Sequence, residues 1–411
     1  TYKRIAIFGA GVSGQAARRL VLSLGLELCL FDENGRGDTA DFSAASLSGF
    51  DAFVFSPGFA ITHPWRILVQ RSGRPCYSEL GFAAIHWRGR LLGVTGTNGK
   101  TTITSLLCNA FSTAGQTAIE AGNIGTPLSD YVLGDANHDK ATAVCEISSF
   151  QAELPDGLQL DGLIWSNFAE DHLNRYESMT EYFASKAQLL SCLRAGAPSV
   201  LGVDVIAFDP KLSGISGSIV VDKDSGFIDR LAPDSPFRIS PQSTNFALAA
   251  ALWRALDRPV ESLIDSANAF QLAAHRLSPV DSWGGVTFWN DSKATNVNSA
   301  WFALESIEGP IIWIAGGVDK GNDYASLMHL VTSKVDHMIC LGKNNQTLLD
   351  TFGDRVESTC EVETAQEAVQ AAYDLGMPGC TVLLSPACAS FDLFGSYEER
   401  GREFKAAVRS L

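Results

Sequence analysis

Apolar and polar positions divide the chain into short apolar runs that alternate with longer segments of helical spacing. The apolar runs predict strands at RIAIFGAG, ELCLFDE, AFVFSPG, LLGVTG, TAVCEIS, GLIWSNF, IIWIAGG, HMICLG and TVLLSPA, in chain order. Runs this continuously apolar are typical of parallel strands that helices cover on both faces. The pattern therefore predicts an α/β fold, and the grouping of the strands indicates three α/β units.

Two breaks in this pattern predict the domain boundaries. The first falls near HWRGR (86–90), and the second falls near QLAAHRLSPV (271–280), where a helical pattern stops at a proline. We expect domains at 1–88, 89–273 and 274–411, since a domain usually has about 100–200 residues. Between 200 and 240, β-like runs alternate with Gly, Ser and Asp turns, which predicts a small antiparallel annex of the middle domain.

Composition and charge narrow the classes of partner. The formal charge of −15 argues against nucleic acid, because no basic stretch is present to displace counterions from a phosphate backbone. No apolar run reaches about 18 residues, so no membrane span is expected. TYKRIAIFGAG resembles a strand and a turn rather than a signal peptide. Of the nine cysteines, Cys29, Cys108, Cys145 and Cys340 lie inside apolar runs and are expected as buried reduced thiols. These features predict a cytoplasmic enzyme or binding protein.

The stretch GVTGTNGKTT (93–102) has the composition of a phosphate-binding loop. Glycines let backbone N–H groups surround a triphosphate, Lys100 suits the outer phosphates, and the hydroxyl of Thr101 suits Mg²⁺. The general motif has glycine where this chain has Val94. An apolar strand before the loop and helical spacing after it nevertheless favour nucleotide binding over a plain turn. The loop alone does not distinguish a kinase, an ATPase motor, a GTPase and a ligase.

A second glycine-rich turn, GAGVSG (9–14), follows the first predicted strand, and Asp32 ends the next one. This pattern suits a pyrophosphate near backbone N–H groups and an acidic side chain near a sugar or base. An anionic nucleotide-like ligand, a nicotinamide cofactor and a tight turn without a ligand all remain open. Ser56 and Gly58 of the SPG turn (56–58) end a third strand at the same edge and are positioned to line the same crevice.

Acidic residues follow two strands of the predicted middle domain. Glu146 of EISSFQ ends one strand, where a carboxylate suits Mg²⁺, and the alternative is a helix-capping segment with Ser148 as the cap. NFAEDHLNRY (167–176) gathers acids around His172, a candidate metal ligand or positioning group. Lys186 lies on a helical segment, and from the pattern alone it is most simply a lysine that reaches out to water.

Polar residues also cluster in the last third of the chain. In NDSKATN (290–296), Asp291, Lys293 and Thr295 alternate, and a continued strand would direct all three to one side. Cations for a phosphate and carboxylates are offered by Arg276, Lys293 and Lys320. The remaining candidates lie in LLSPACASFDLFGSYEERGREF (383–404), where Ser385 and Ser390 suit hydrogen bonds to a carboxylate and Phe391 and Tyr397 suit the walls of a pocket. The alternative is a strand-turn-helix element of the core.

Together these stretches resemble the Mur ligase family, because they occur in the order that this family has. The order is GTNGKTT, GNIGTP, EISSFQ, NFAEDHLNRY, Lys186, HR at 275–276, NDSKATN, AGGVDKG and SPACASFDLF. The resemblance implies an N-terminal Rossmann-like domain for a UDP-linked substrate, a central P-loop ATPase-like domain and a C-terminal Rossmann-like domain for an amino acid. Among the members of the family, those that add D-glutamate are the most similar.

The activity that the resemblance implies is an ATP-dependent amide ligation. D-glutamate would be joined to UDP-N-acetylmuramoyl-L-alanine through an acyl phosphate, with release of ADP and phosphate, in peptidoglycan precursor synthesis. Implied cofactors are ATP, Mg²⁺ at two sites and a carbamate formed from CO₂ on Lys186. The implied partners are these small molecules, and the implied state is a monomer.

The resemblance also implies roles for individual residues. ATP would contact Gly96, Thr97, Asn98, Gly99, Lys100, Thr101, Thr102, Asn245, Arg276, Asp291 and Lys293. The UDP-linked substrate would contact Gly11, Val12, Ser13, Asp32, Ser56, Gly58 and Asn123. D-glutamate would contact Thr295, Lys320, Ser390, Phe391 and Tyr397. Catalysis would involve Lys100, Glu146, His172 and Lys186, and the metal ligands would be Thr101, Glu146, His172 and carbamylated Lys186.

Two stretches depart from the family pattern. Asn245 is present in STNFALAAA, but Leu248 stands where a second asparagine is common, so the adenine contacts are expected to differ. Glu33 and Asn34 follow Asp32 where the family often has Thr and Arg, and Arg36 is the candidate substitute. Open alternatives are another amide ligase of the superfamily, such as the L-alanine-adding enzyme, the diaminopimelate-adding enzyme or a folylpolyglutamate synthase, and a nucleotide-binding or regulatory protein without catalysis.

Overall fold

The computed structural model describes residues 2–173, 175–222, 226–272 and 274–411. In this part of the chain, three β-sheets with helices between their strands confirm the predicted α/β class. Every apolar run that was predicted as a strand contains one. The strands are short and mostly buried, as expected for parallel sheets covered on both faces.

The first sheet has four parallel strands in the order β2-β1-β3-β4. Its strands are β1 (Arg4–Phe8), β2 (Glu27–Phe31), β3 (Ala52–Phe55) and β4 (Cys76–Ser78), and its helices are α1 (Val12–Ser23), α2 (Pro64–Arg71) and α3 (Glu79–Ala84). Aromatic rings fill one face, where Phe8 stacks on Phe55 with ring centroids 4.1 Å apart. Helix α2 begins with proline directly after His63, whose ring accepts a hydrogen bond from the N–H of Trp65.

The second sheet has six strands in the order β10-β9-β8-β5-β7-β6, and all of its pairings are parallel. Its strands are β5 (Arg90–Thr95), β6 (Ala118–Gly122), β7 (Thr142–Glu146), β8 (Gly162–Trp165), β9 (Ser199–Gly202) and β10 (Ser218–Val221). Its helices are α4 (Lys100–Thr113), α5 (Leu128–Val132), α6 (Ser149–Ala152), α7 (Met179–Ala187), α8 (Val203–Phe208), α9 (Gln242–Ala255) and α10 (Val260–Asn268).

The antiparallel annex predicted between 200 and 240 is wrong. Strand β10 pairs with β9 in parallel and extends the second sheet. The Gly, Ser and Asp residues between them do not form a hairpin, because α8 and a short 3₁₀ helix over Pro210–Gly214 make a crossover connection. The described residues from 226 to 240 include short 3₁₀ helices over Ile228–Arg230 and Pro236–Arg238.

The third sheet has six strands in the order β11-β12-β16-β13-β14-β15, and only the β11–β12 pair is antiparallel in the described residues. Its strands are β11 (Ser278–Trp283), β12 (Val286–Asn290), β13 (Ile311–Ala315), β14 (Val335–Leu341), β15 (Ser358–Val362) and β16 (Thr381–Leu384). Its helices are α11 (Val297–Ser306), α12 (Met328–Lys334), α13 (Gln346–Phe352), α14 (Ala365–Leu375) and α15 (Tyr397–Arg409).

The backbone contacts group these elements into two compact units. The first unit runs to Phe168 and resumes over Ser178–Phe270, so it contains the first and second sheets. The second unit consists of Ala169–Glu177 and Gln271–Leu411, and it contains the third sheet. The division into three domains stays a prediction, and residue 273, at its second boundary, lies outside the described residues. Helix α10 ends at Asn268, so the helical pattern expected as far as Pro279 stops earlier.

Two further expectations concern cysteines and membrane spans. All nine cysteines carry free thiols, and burial raises the pKa of Cys108 to about 12. Thiols that are protonated in this way are inert structural groups. In the part of the chain that the structure describes, no helix combines the length and the apolar character that crossing a membrane requires.

Candidate active site

The phosphate loop connects β5 to α4, as the sequence predicts. Gly99 is the N-cap of α4 and has a φ of +83°, which favours glycine. A methyl group at Gly99 would lie 2.3 Å from the Oδ1 atom of Asn245. The backbone N–H of Asn98 donates to Asn167 Oδ1 at 2.8 Å, and Ser166 Oγ donates to the Asn98 carbonyl at 2.6 Å. Ser166 and Asn167, which directly follow β8, therefore hold the phosphate loop in place through hydrogen bonds.

Lys100 is the first residue of α4, a helix of 14 residues whose N-terminal N–H groups and dipole suit phosphate. Its Nζ atom donates to the carbonyl oxygens of Gly96 and Thr97 at 2.9 and 2.8 Å. The ammonium group is therefore folded over the loop, while Thr102 is buried on the core side of the helix. This arrangement puts one cation and a set of N–H donors at the same place.

Glu146 ends β7 beside the phosphate loop and is 3% exposed. Thr101 Oγ1 donates to Glu146 Oε2, and Asn123 Nδ2 donates to Glu146 Oε1, both at 2.8 Å. A hydroxyl and a carboxylate in contact are oxygen ligands that Mg²⁺ prefers, and Mg²⁺ takes its other ligands from water and phosphates. These residues therefore fit one Mg²⁺. The alternative interpretation also holds, because Ser148 caps α6 through a capping box with Gln151.

Lys186 lies near the end of α7, and at 1% exposure it does not reach out to water. Its Nζ atom donates to the Gly96 carbonyl at 3.0 Å and lies 5.0 Å from the ring centroid of Tyr182. Lys100 and Lys186 thus converge on one carbonyl oxygen. Positive charges on the buried Lys186 and the half-buried Lys100 would repel each other across this shared partner.

The candidate adenine residues lie on α9. Asn245 contacts the phosphate loop near Gly99, as described, and its Nδ2 atom donates to Gln242 Oε1 at 2.9 Å. Leu248 is fully buried in the apolar core that α9 forms with α4. A leucine in this core has no polar group to offer to an adenine. The departure noted at this position therefore has a packing role.

The first glycine-rich turn links β1 to α1. Gly14 fits closely, since a methyl group there would lie 1.7 Å from the Gly9 carbonyl oxygen. Gly11 and Val12 are exposed and Ser13 is half-buried, so this part of the turn is accessible to a ligand. The described geometry suits the anion-binding interpretation of GAGVSG, although no contact distinguishes it from a tight turn.

Asp32 stabilises that turn from the end of β2. Its Oδ2 atom accepts a hydrogen bond from the backbone N–H of Ala10 at 2.8 Å, and its Oδ1 atom accepts from the N–H of Asn34 at 3.0 Å. These N–H groups, the first above all, lower the pKa of Asp32 despite its burial. The substitute candidate Arg36 approaches Asp32 with 3.5 Å between Nε and Oδ1. Asp32 is thus a carboxylate that shapes the turn.

The SPG turn lies beside the same loop. Ser56 Oγ donates to the Gly9 carbonyl at 3.4 Å, and Gly58 is exposed. The backbone N–H of Ser56 donates to the Phe8 carbonyl at 2.9 Å, which continues the pairing of β1 and β3. Ser56 and Gly58 therefore lie beside the GAGVSG turn at the carboxyl edge of this sheet, and a ligand crevice there stays a prediction.

In the second unit, the segment Ala169–Glu177 contains an ion pair that the sequence did not indicate. Asp171 Oδ1 accepts from Lys320 Nζ at 3.0 Å, and Asp171 Oδ2 accepts from Asn296 Nδ2 at 3.3 Å. Burial opposes ionisation of Asp171, but the charges of His172 and Lys320 and its hydrogen bonds lower its pKa. His172 has a φ of +60°, a strained value of the kind that occurs at functional sites. Residue 174, inside NFAEDHLNRY, lies outside the described residues.

Asp291 is buried directly after β12. It accepts hydrogen bonds from the Leu277 N–H at 3.0 Å and from Ser385 Oγ at 2.9 Å. Burial raises its pKa to about 7, against the opposing effect of these donors and of the arginines at 276 and 400. Ser385 therefore binds a carboxylate of the protein itself.

The alternation expected for Asp291, Lys293 and Thr295 is wrong. Strand β12 ends at Asn290, and the next residues turn, since the Ala294 N–H donates to the Asp291 carbonyl at 2.8 Å. The Thr295 N–H donates to the Lys293 carbonyl at 2.9 Å in the same turn. A turn places these three side chains in different directions, so their spacing does not define a common face.

The candidate amino-acid pocket lies at the carboxyl edge of the third sheet. Ser390 is buried, Phe391 is 74% exposed, and Tyr397 is the first residue of α15. Lys293 Nζ lies 5.0 Å from the Tyr397 ring centroid, a cation–π distance. Arg276 is half-buried in the segment before β11. The second unit therefore carries three of the predicted cations, at positions 276, 293 and 320.

Sequence reasoning missed the supporting residues Ser166, Asn167 and Asp171. Ser166 and Asn167 follow the apolar run of β8, and polar residues directly after a buried parallel strand are a usable signal. Asp171 stands next to His172 in a group of charges, but only the fold brings it to Lys320. Long-range pairs of this kind have no local signature.

The glycine-rich loop between a buried strand and a helix, with Lys100, Thr101 and Glu146 around it, defines an α/β protein of the phosphate-loop class. Two family models match the chain: the Mur ligase middle domain over residues 94–214, and the Mur ligase, glutamate ligase domain over residues 275–388. The chain belongs to the Mur ligase family. The resemblance expected from the sequence is thereby confirmed.

Relatives and solved structures agree with this assignment. The UDP-N-acetylmuramoylalanine--D-glutamate ligase of Christiangramia forsetii is 33% identical, with all of both chains covered. The enzyme of the same name from Geobacter metallireducens is 35% identical over 92% of this chain and 86% of its own. The UDP-N-acetylmuramate-alanine ligase MurC of Thermotoga maritima has a TM-score of 0.59 at 14% identity, with all of both chains covered. The MurF ligase of Thermotoga maritima, solved in complex with ADP, has a TM-score of 0.59 at 14% identity over 88% of this chain and 96% of its own.

Proposed function

We propose that this protein is an ATP-dependent ligase that joins D-glutamate to UDP-N-acetylmuramoyl-L-alanine in peptidoglycan precursor synthesis. The observation that carries the ligase chemistry is the contact of Thr101 and Glu146 beside the Lys100 loop. The acceptor and the UDP-linked substrate come from the names of full-length relatives at 33% identity. The proposed location is the cytoplasm, where ATP and nucleotide sugars occur, and the proposed state is a monomer.

The first step activates a carboxylate. A carboxylate oxygen of the UDP-linked substrate attacks the γ-phosphorus of ATP, the bond from that phosphorus to the bridging oxygen breaks, and ADP leaves. The acyl group then carries phosphate, which is a far better leaving group than oxide. Lys100 and the N–H groups at the start of α4 stabilise the negative charge on the phosphates during transfer.

The second step forms the amide. The amine nitrogen of D-glutamate attacks the acyl carbon, a tetrahedral intermediate forms, and the carbon–oxygen bond to phosphate breaks. The nitrogen loses a proton and phosphate is released. Lys320 and Ser390 are proposed to bind the carboxylates of D-glutamate, while Thr295, Phe391 and Tyr397 line its pocket.

One Mg²⁺ is proposed at Thr101 and Glu146, whose oxygen atoms fit it as described. Bound there, it would reduce the repulsion between the phosphates and the incoming carboxylate. His172 and a carbamylated Lys186 are proposed for a second Mg²⁺. Among the described residues, no group of three or more His, Cys, Asp and Glu side chains forms a ready metal site, so substrate oxygens and the carbamate would have to complete each set.

Carbamylation of Lys186 is supported by its surroundings. The ammonium group first loses one proton, and the neutral amine then adds CO₂ and releases a second proton, so that a carbamate anion replaces a cation. Because the Lys100 ammonium shares the Gly96 carbonyl with Lys186, this conversion replaces repulsion by attraction. The modification therefore suits a buried lysine beside a second lysine.

The remaining contacts complete the proposal. The UDP-linked substrate binds along the GAGVSG turn, with Gly11, Val12 and Ser13 near its pyrophosphate and Asp32 supporting the turn. The crevice is completed by Ser56, Gly58 and Asn123. ATP is further contacted by Asn245, Arg276, Asp291 and Lys293.

The test is phosphate release from ATP with UDP-N-acetylmuramoyl-L-alanine, comparing D-glutamate, L-glutamate, L-alanine, diaminopimelate and no amino acid. We expect release that needs both the UDP-linked substrate and D-glutamate, together with the amide product by mass spectrometry. Release with another amino acid would keep the mechanism and replace the acceptor. No release in any combination, although ATP binds, would favour a nucleotide-binding protein without catalysis.

A further inference from the structure

A buried ion pair joins the first sheet to the second sheet inside the first unit. Arg66 of α2 and Glu153 have side chains that are each 2% exposed, and Arg66 Nη1 lies 2.5 Å from Glu153 Oε2. Arg66 Nη1 also donates to the Phe59 carbonyl at 3.0 Å, and Arg66 Nη2 donates to the Glu153 carbonyl at 3.1 Å. One guanidinium group therefore holds two backbone segments and one carboxylate.

The two segments lead directly to predicted site residues. Phe59 follows the SPG turn, and its N–H donates to the Ser56 carbonyl at 3.2 Å. Glu153 is the C-cap of α6, a single short helix whose N-cap, Ser148, follows closely after Glu146. The Glu153 N–H donates to the Ser149 carbonyl at 3.1 Å, so the link is hydrogen-bonded along its length.

The Arg66–Glu153 ion pair is not an efficient way to increase the free energy of unfolding. Removing two charges from water costs free energy that their attraction only partly restores, and apolar side chains of similar size often serve as well. Within the described residues, Arg66 Nε is buried and has no hydrogen-bond partner, which adds to the cost. The advantage of the guanidinium group is geometric, because its planar set of N–H donors fixes the angles and distances of its hydrogen-bond partners.

We infer that Arg66 and Glu153 are positioning residues. They fix the position of the turn at 56–59, which is proposed to bind the UDP-linked substrate, relative to Glu146 at the end of β7. This inference rests on the proposed function, in which the substrate carboxylate meets the γ-phosphate beside Glu146. Reacting atoms must approach to about 3–3.5 Å, and a misplacement of about 1 Å can reduce the rate a hundredfold. The pair fixes this relative position by holding the backbone of the two segments. In the proposed mechanism neither side chain contacts the reacting groups.

The experiment compares three variants. Arg66→Lys keeps the positive charge but loses the planar guanidinium group. The double variant Arg66→Met/Glu153→Met removes both charges, so no unpaired charge is buried, and the protein can fold even if a single deletion cannot. The matched control is Arg74→Met, because Arg74 also donates to backbone carbonyls, those of Leu47 and Phe50, on the same sheet.

For each variant, kcat, the KM of each substrate, the melting temperature and backbone amide hydrogen exchange are measured on the full chain. We expect the folded double variant to lose about 10–100-fold in kcat with D-glutamate KM unchanged. The kcat of Arg66→Lys should lie between those of the wild type and the double variant, and Arg74→Met should keep the wild-type kcat. Amide exchange should accelerate in both 56–59 and 147–153 for the double variant, and in neither for the control.

The outcomes separate the two proposals. Wild-type kcat in a folded double variant, or an equal loss in Arg74→Met, would overturn the positioning role. An inactive wild-type protein would overturn the proposed function instead. In that case the pair is judged by exchange alone, and unchanged exchange in either segment of the double variant would refute the coupling.

Discussion

Lys100 and Lys186 donate hydrogen bonds to the same carbonyl oxygen, that of Gly96, at 2.9 and 3.0 Å. One lysine comes from the start of α4 and the other from the end of α7, so the fold itself creates this close approach of two amines. In the proposed mechanism Lys100 binds phosphate as a cation, whereas Lys186 must be a neutral amine in order to add CO₂.

Replacing Lys186 by alanine tests the role proposed for this lysine. We predict that Lys186→Ala lowers kcat by about 10–100-fold, because an anion that helps to arrange metal and phosphate is lost. Acetate or another short carboxylic acid should restore part of the activity in proportion to its concentration. The measurement is phosphate release, with the exposed Lys211→Ala as the control. An active Lys186→Ala variant that ignores added acids would contradict the carbamate.

Gly99→Ala tests the phosphate loop. The added methyl group meets Asn245 Oδ1 and must adopt a φ of +83°, so the loop has to move. Strain of about 1–3 kcal/mol at such positions predicts a loss of ATP affinity of about 5–150-fold. The control is Gly115→Ala, where φ is +74° but no atom lies within 4 Å of the new methyl. Titration calorimetry with ATP measures both, and equal losses would mean that backbone strain alone is responsible.

Asp291→Asn tests the buried carboxyl group. Its pKa of about 7 exceeds the ordinary value of 3.8, so the folded state keeps a proton that the unfolded state has lost. This contribution to stability is present at low pH and is lost as the pH rises towards 7, by about 1.4 kcal/mol for each pH unit of one-proton difference. Asparagine cannot ionise. We therefore expect the variant to gain stability relative to wild type between pH 5 and pH 7.5.

Denaturant titrations at several pH values, without nucleotide, measure that difference. Asp281→Asn is the control, because Asp281 is exposed on the neighbouring strand β11. A constant difference between Asp291→Asn and wild type across the pH range would mean that the carboxyl group is ionised throughout.

Lys320→Met tests the acceptor pocket. A hydrogen bond to a charged group contributes about 1.5–3 kcal/mol, so we predict a rise in the KM of D-glutamate of about 10–100-fold. The KM of ATP should stay unchanged. Lys343→Met, an exposed lysine of the same unit, is the control. A rise confined to ATP would assign Lys320 to the nucleotide instead of the amino acid.

The fold was predictable because strand after strand is a continuous apolar run with a polar or glycine-rich end. Periodicity identified these strands, and it failed between 200 and 240 because turn residues also occur in crossover connections. Pro210 and its neighbours form a 3₁₀ helix there, so the same residues that favour a hairpin led β10 to a parallel pairing. Composition alone does not give strand direction.

The candidate site was predictable where a motif is continuous in sequence. The loop at Gly96–Lys100 is such a motif, and Glu146 follows from its place at a strand end. The partners Asp171 of Lys320 and Ser385 of Asp291 were not predictable, since 149 and 94 residues separate them along the chain. The regular alternation around Lys293 misled because a strand pattern persists in the sequence after β12 has ended.

The second unit is discontinuous, and this has a consequence for synthesis on the ribosome. Ala169–Glu177 is made before Ser178–Phe270 of the first unit and before all the rest of the second. Asp171 must therefore wait until Lys320 has been translated, and contacts between such distant residues form slowly in folding. The first unit can complete its sheets while this short segment is still unpaired. The third sheet also needs β16, which lies between β12 and β13 and is the last of its strands to be translated, so the second unit can be completed only after nearly all of the chain has been made.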